Sequence, residues 1–86
     1  KDTVNRYYLS INAKNAFGVI ESLGRIFARN KISISNLLQK GLQKDNTANI
    51  VLITEDACEK DMQKALEELN NEACVNRTDS LIRLGD

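Results

Sequence analysis

The chain has 86 residues, of which 42% are hydrophobic and 28% are charged, as expected for one soluble globular domain with a modest core. Its twelve basic and twelve acidic residues cancel, which excludes a strong global attraction to nucleic acid or to an anionic membrane. No apolar stretch reaches the ~20 residues of a membrane helix and no signal-peptide pattern is present, so we predict a cytoplasmic location and no membrane partner.

The first predicted element is a half-buried strand over residues 6–13, where apolar and polar side chains alternate. A turn is predicted over residues 14–17. Apolar side chains then recur at helical spacing, which predicts an amphipathic helix that ends near Asn30 and Lys31. The apolar positions of this helix are Val19, Ile20, Leu23, Ile26 and Phe27.

A β-hairpin is predicted in the middle of the chain. Residues 32–42 form its first strand, and a bulge around Ser35 and Asn36 accounts for the change of apolar phase between Ile34 and Leu37. The polar residues 43–47 predict the turn. The nearly continuous apolar run over residues 48–54 predicts a strand in the middle of a sheet.

A second helix and a last strand complete the chain. Asp56 and Glu59 have the spacing of a capping box, and apolar residues at helical spacing from Met62 onward predict a helix that ends at residues 70–71. Residues 75–84 alternate weakly, which indicates an edge strand.

The resulting order, β-α-β-β-α-β, predicts an α+β protein of the ferredoxin-like type: a four-stranded antiparallel sheet with two helices on one face. No proline or linker-like stretch divides residues 1–86, so a single domain is expected. Because the chain starts at Lys1 and not at methionine, we expect it to be a fragment of a larger protein. The uncovered sheet face and edges are expected to pair with another copy.

Catalysis and metal binding by this chain are not expected. It has no histidine, the commonest neutral metal ligand and general base. Cys58 and Cys74 form no CxxC pair, so both are predicted to be free, with Cys74 as a small buried hydrophobe. The carboxylates of the second helix are explained by solvent exposure and by pairs such as Lys64 with Glu68.

A nucleic-acid partner is not expected either. RNA-binding domains of this topology stack bases on aromatic side chains of the two central strands. The predicted third strand contains no aromatic residue, and Tyr8 stands alone on its face of the first strand.

The junction between the first strand and the first helix is the best candidate for a binding site. The first N–H groups of a helix have no internal partner, and the helix dipole favours an anion there. Gly18 would let a ligand approach the backbone. The alternative is purely structural: Gly18 serves the turn, and the Asn15 side chain caps the helix. The spacing alone favours neither interpretation.

The sequence resembles the ACT domain at the C-terminus of homoserine dehydrogenases over nearly its whole length, in residues 7–40, 48–69 and 80–84. The most specific parts are Tyr-Tyr-Leu at residues 7–9, Gly-Val-Ile at 18–20, Ile-Ser-Ile at 32–34 with Gln39 following, Ile-Thr at 53–54 and Ile-Arg-Leu at 82–84.

This resemblance implies a non-catalytic regulatory module without a cofactor of its own. The longer chain would be an NAD(P)-dependent oxidoreductase that reduces aspartate semialdehyde to homoserine, in the biosynthesis of threonine, methionine and isoleucine. The resemblance also implies that two ACT domains pair and bind an amino-acid effector at their interface, with threonine as the expected feedback inhibitor.

The resemblance also implies which residues meet the effector. Gly18 and Val19 would offer backbone N–H groups to the effector carboxylate, and the side-chain oxygen of Asn15 would accept from its ammonium group. The far wall would come from the second copy. The full set is Asn15, Phe17, Gly18, Val19, Ser33, Ile34 and Gln39, with Gln39 touching either the ligand or only its neighbours.

The family pattern of this loop is Asp or Asn, any residue, Pro and Gly, and the chain differs from its commonest form at two positions. Phe17 stands in place of the usual proline and adds a bulky ring, which would either pack as a hydrophobic staple or fill the pocket. Asn15 replaces the commoner aspartate and lacks its charge. Two hypotheses therefore remain: a module that binds an amino acid, and a pure dimerisation module with a vestigial pocket.

Overall fold

The computed structural model describes residues 4–84. Its elements in chain order are β1 (Val4–Asn5), β2 (Tyr7–Ala13), α1 (Ala16–Arg29), β3 (Ile34–Lys40), β4 (Ala48–Thr54), β5 (Ala57–Cys58), α2 (Glu59–Asn70) and β6 (Val75–Arg83). Neither helix is long and apolar enough to cross a membrane.

A four-stranded antiparallel sheet in the order β3-β4-β2-β6 forms one layer of the domain. The two helices cover one of its faces, and their apolar sides share a single core with the sheet. This arrangement confirms the predicted ferredoxin-like fold. β2 and β4 are central and β3 and β6 are the edges, so the prediction of an edge strand at the end of the chain is also confirmed.

The alternation in β2 decides which side chains enter the core. Tyr7, Leu9 and Ile11 are buried toward the helices, whereas Tyr8 and Ser10 between them face the other side of the sheet. β4 is buried at every second position in the same way. The face opposite the helices is called the open face below.

The predicted bulge in β3 is confirmed. Ile34 lies opposite Thr54 and Asn36 lies opposite Ile53, so Ser35 has no counterpart on β4. The ladder is shorter than the predicted strand, because only residues 34–40 pair with β4 and the chain leaves the sheet at Gly41, whose φ is +65°.

The predicted capping box at the start of α2 is wrong. The N-cap of α2 is Cys58, no side chain caps the helix, and Glu59 is its first helical residue. The cause is a short strand pair that the sequence pattern did not reveal: β5 pairs with β1, with Asn5 opposite Ala57. This pairing keeps Cys58 extended, so the helix starts only after it.

Glu68, which was predicted to pair with Lys64, makes its ion pair with Arg29 of the other helix, while the Lys64 charge has only a smaller effect that lowers the pKa of Glu68. The Glu68 carboxylate accepts a hydrogen bond from the Arg29 guanidinium at 2.8 Å, and Asn30 donates to the same oxygen at 3.3 Å. The Arg29 hydrogen bond is the main reason that the pKa of Glu68 lies below its ordinary value. The C-terminal ends of α1 and α2 are thereby joined.

Tyr7 places an unsatisfied polar group in the core, which lowers the stability of the fold. Its hydroxyl oxygen is buried and has no hydrogen-bond partner among residues 4–84. A buried polar group without a partner costs about 1–3 kcal/mol. We therefore expect Tyr7→Phe to raise the free energy of unfolding by roughly 1 kcal/mol in chemical denaturation, and a loss of stability would show that the hydroxyl has an ordered partner.

Candidate functional site

Asn15 caps the first helix, so the structural interpretation of this residue is confirmed. Its backbone is extended, and its side-chain Oδ1 accepts a hydrogen bond from the N–H of Gly18 at 3.1 Å. Its carbonyl oxygen accepts from the N–H of Val19 at 2.9 Å. The helix begins at Ala16, so the prediction of a turn through Phe17 is wrong at its last two residues.

One N–H group remains available in the first turn of α1. The Ala16 N–H donates to the carbonyl oxygen of Asn46 at 2.7 Å, which ties the helix start to the hairpin between β3 and β4. Of the first four helical N–H groups, that of Phe17 has no hydrogen-bond partner among residues 4–84. The first turn also has no acidic side chain, so its positive dipole end is not compensated.

Gly18 is required by a close neighbour inside the domain. A β-carbon at this position would lie 3.1 Å from the Cβ of Cys74 and 3.6 Å from its Sγ. The carbonyl oxygen of Cys74 also accepts from the N–H groups of Lys14 and Asn15 at 2.8 and 3.2 Å. The absence of a side chain at Gly18 therefore lets the segment before β6 lie against the helix start.

Cys74 differs partly from the prediction. It is free, as is Cys58, but it is only half-buried at the edge of the core. The reason is its position beside the polar group formed by Ser22 and Glu72, where the Ser22 hydroxyl donates to the carboxylate at 2.9 Å. The Cys74 Sγ lies 3.6 Å from the same hydroxyl.

The Phe17 ring points away from the core. It is 61% exposed, so it does not pack as a hydrophobic staple on its own chain. An exposed aromatic side chain beside the free N–H of the helix start is available to a ligand or to a second protein surface.

The remaining predicted site residues lie elsewhere on the domain. Ser33 and Ile34 lie at the start of β3, where the Ser33 carbonyl oxygen accepts from the N–H of Glu55 at 2.9 Å. The start of α1 lies at the other end of the sheet, where Ala13 pairs with Ala48. Within a single chain, the two halves of the predicted site therefore lie about 20 Å apart, which is the length of β3.

Gln39 lies at the same end of the sheet as the start of α1. It is half-buried near the end of β3 and lies opposite Ile50. The roles of Asn46 and Cys74 at the helix start were missed, because both act through backbone carbonyl groups. A carbonyl group leaves no signal in the residue pattern.

The cap predicts a measurable contribution to stability. Asn15→Ala removes the acceptor for the Gly18 N–H and is expected to lower the free energy of unfolding by about 1 kcal/mol. Asn15→Asp keeps the acceptor and adds a favourable charge at the helix start, so it should be as stable as the original chain or slightly more stable. Thermal unfolding of both variants measures the difference, and an Asn15→Ala variant as stable as the original chain would mean that the cap contributes nothing.

Comparisons with known proteins agree with this architecture. A sequence model of the ACT domain family matches residues 7–74. Homoserine dehydrogenase from Helicobacter pylori is 38% identical over 78 residues, which are 91% of this chain and 18% of that protein. Homoserine dehydrogenase from Synechocystis sp. is 36% identical over 84 residues, which are 98% of this chain and 19% of that protein.

A solved structure shows the same likeness. The crystal structure of a homoserine dehydrogenase from Thiobacillus denitrificans superposes with a TM-score of 0.84 at 30% identity, covering 98% of this chain and 18% of that one. The chain therefore belongs to the ACT domain family. It spans less than a fifth of the length of these homoserine dehydrogenases, and the predicted resemblance to their ACT domains is confirmed.

Proposed function

We propose that the chain is the regulatory ACT domain of a cytoplasmic, NAD(P)-dependent homoserine dehydrogenase and binds an amino acid, threonine first of all, between two paired copies. The similarity to homoserine dehydrogenases over nearly the whole chain supports the assignment. The observation that carries the binding mode is the separation of the predicted site residues between the two ends of the sheet.

Pairing through the edge strand β3 would bring these residues together. β3 has a neighbour on one side only, so one row of its backbone groups is open to a further strand. In an antiparallel pair centred on Leu37, Lys40 lies beside Ile34 of the second copy. The start of β3 in one copy then approaches the end of the sheet where α1 starts in the other, and twofold symmetry makes two such sites.

The start of α1 supplies the groups that suit an amino acid. The free N–H of Phe17 and the uncompensated helix dipole favour its carboxylate. The Gly18 N–H becomes available if the Asn15 side chain turns away, and the Asn15 oxygen can then accept from the ammonium group. The Phe17 ring forms one wall, and the bulk of this ring limits the size of the effector.

The pairing is tested by one substitution at the centre of the edge. Leu37→Glu places two carboxylates opposite each other in the proposed pair, which like-charge repulsion disfavours. Sedimentation velocity should show a dimer for the original chain and a monomer for this variant. Leu42→Glu is the matched control, since Leu42 is 47% exposed against 41% for Leu37 but lies outside the strand. A monomer at all concentrations for the original chain would contradict the pairing.

Effector binding is tested by calorimetric titration of the same chain with threonine, methionine, isoleucine and serine. We expect threonine to release or absorb heat with one site per chain. Asn15→Ala should weaken binding about fivefold or more, because one hydrogen bond to a charged group is lost. If none of the four amino acids binds at millimolar concentration, the dimerisation module with a vestigial pocket is the correct description.

Phe17→Pro separates these two descriptions further. Proline at the first turn of a helix is well tolerated and removes the ring. If the ring fills an otherwise competent pocket, binding should appear in this variant and be absent in the original chain. If the pocket is competent as it stands, the variant should bind more weakly, because it also lacks the N–H of residue 17.

A further inference from the structure

The open face of the sheet changes from polar at one end to apolar toward the other. The strand register places Lys40, Asn49 and Asn12 in one row across β3, β4 and β2. The next row along the strands contains Leu38 and Val51, which lie opposite each other. The two rows are about 7 Å apart, since they differ by two residues along each strand.

The polar row contains a directed chain of amide groups. Asn76 Nδ2 donates to Asn12 Oδ1 at 2.8 Å, and Asn12 Nδ2 donates to Asn49 Oδ1 at 3.1 Å. Each amide group thus donates to the amide on the neighbouring strand, in the direction of β3. Successive hydrogen bonds of this kind polarise one another. The chain ends at Asn49, which lies opposite Lys40 in the ladder and lines the same cavity. Within residues 4–84, neither Asn49 Nδ2 nor the Lys40 ammonium group donates a hydrogen bond or joins an ion pair.

A cavity of about 250 Å³ lies at this end of the amide chain, and no carboxylate lines it. The acidic residue of the same hairpin is already engaged, because Asp45 accepts from both the N–H and the hydroxyl of Thr47. Arg77, which lies opposite Asn12, is held by Asp79 at 2.6 Å. The donors at the cavity are therefore available to an anion. The cavity is lined by Asn12, Lys40, Gly41, Gln43, Thr47, Ala48 and Asn49.

A second cavity, of about 460 Å³, lies beside the apolar row. Its lining is mainly aliphatic, and Leu38, one of the lining residues, is 54% exposed. The helices cover the other face of the sheet, so apolar side chains on this face are not packed against a helix. Contact with the hydrocarbon part of a ligand would remove their surface from water, which is favourable. This cavity is lined by Asn36, Leu37, Leu38, Val51 and Ile53.

We propose that the open face binds a small monocarboxylate with an aliphatic tail. Its carboxylate accepts hydrogen bonds from Lys40 and Asn49, and its tail lies over Leu38 and Val51. A tail of about five carbon atoms spans the distance between the two rows. The site lies on the opposite face of the sheet from Asn15 and Gly18, so it is separate from the proposed effector site and does not depend on it.

Hexanoate, acetate and 1-hexanol are the probes for this site, with nuclear magnetic resonance chemical shifts of the 86-residue chain as the readout. Hexanoate should shift the side-chain amide signals of Asn12 and Asn49 and saturate. Acetate should bind at least about tenfold more weakly, because it lacks the buried methylene groups. The alcohol, which has the tail without the charge, should leave both amide signals in place.

Substitutions at two exposed residues test separately the contacts of the ligand carboxylate and those of its aliphatic tail. Lys40→Gln should weaken hexanoate binding about fivefold. Lys44→Gln is the control and should have no effect, because this substitution removes the same charge from the same hairpin but Lys44 lines neither cavity. Leu38→Ser should reduce hexanoate binding to the level of acetate. Equal effects of the two lysine substitutions, equal affinities for acetate and hexanoate, or shifts confined to residues 15–19 would each overturn the proposal.

Discussion

Phe27→Ala is expected to lower the free energy of unfolding by about 3–5 kcal/mol, because truncation removes a large ring from the centre of the core. Phe27 is 1% exposed on the face of α1 that packs on the sheet. Its removal leaves a cavity among neighbours held by a regular sheet and two helices, which cannot collapse to fill it. Because small domains are stable by only about 5–15 kcal/mol, a substantial fraction of the variant should be unfolded at 37 °C.

Phe17→Ala is the matched control for this prediction. Both phenylalanines lie on α1, but Phe17 is exposed, so its truncation should change the free energy of unfolding by less than about 0.5 kcal/mol. Urea denaturation followed by circular dichroism measures both variants. If the two substitutions cost the same, α1 does not pack on the sheet through the Phe27 face.

Gly18→Val is expected to lower the free energy of unfolding by about 2–3 kcal/mol. The new β-carbon would lie 3.1 Å from the Cβ of Cys74, closer than an ordinary contact, and the two methyl groups extend the overlap. Relief requires movement of the segment before β6, which is tied to the backbone of Lys14 and Asn15. The loss of stability should therefore appear as a lower midpoint of thermal unfolding and as faster hydrogen exchange of the amide protons at the start of α1.

Two further variants show whether this contact is the cause. Gly24→Ala lies in the same helix with no atom within 4 Å of the added carbon, so it should raise the free energy of unfolding by about 0.5–1 kcal/mol through helix propensity. Cys74→Gly removes the opposing Cβ, and combined with Gly18→Val it should cost less than the sum of the two single substitutions. A strictly additive double variant would show that the two side chains do not meet.

The contact between Gly18 and Cys74 also bears on regulation. In the proposed function, an effector at the start of α1 would act only through a difference in its affinity for two arrangements of the proposed pair of domains. The Gly18 N–H is held by Asn15 and the Gly18 Cα lies against the segment that leads into β6. A change in the Asn15 cap on binding would therefore move groups that contact the segment before β6. It would also affect the hairpin between β3 and β4, which is joined to the helix start through the carbonyl oxygen of Asn46.

Local patterns predicted most of the fold. The alternation in β2, the helical spacing of α1 and α2, and the phase change at Ser35 each reflect which side chains face the core, and burial imposes these periods on the sequence itself. The cap at Asn15 was also visible as one of two interpretations, because an N-cap is a contact between residues three apart.

Contacts between distant residues could not be predicted in this way. The start of α2 depends on the pairing of Val4 with Cys58, and the partner of Glu68 is Arg29. No residue pattern near these positions encodes such a partner, since its position is set by how the layers pack. The same holds for Tyr7, whose hydroxyl has no partner within residues 4–84 although its ring fits the core.

The residue pattern alone therefore specified the order of the elements, the face that each buries and the residues that make the start of α1 a candidate site. The folded arrangement was needed to show that Gly18 is held against Cys74, that Ser33 and Ile34 lie at the far end of the sheet from Asn15, and that an amide chain ends beside Lys40. This division arises because periodicity records the burial of each residue, whereas the neighbours of a residue across the sheet depend on strand order and register.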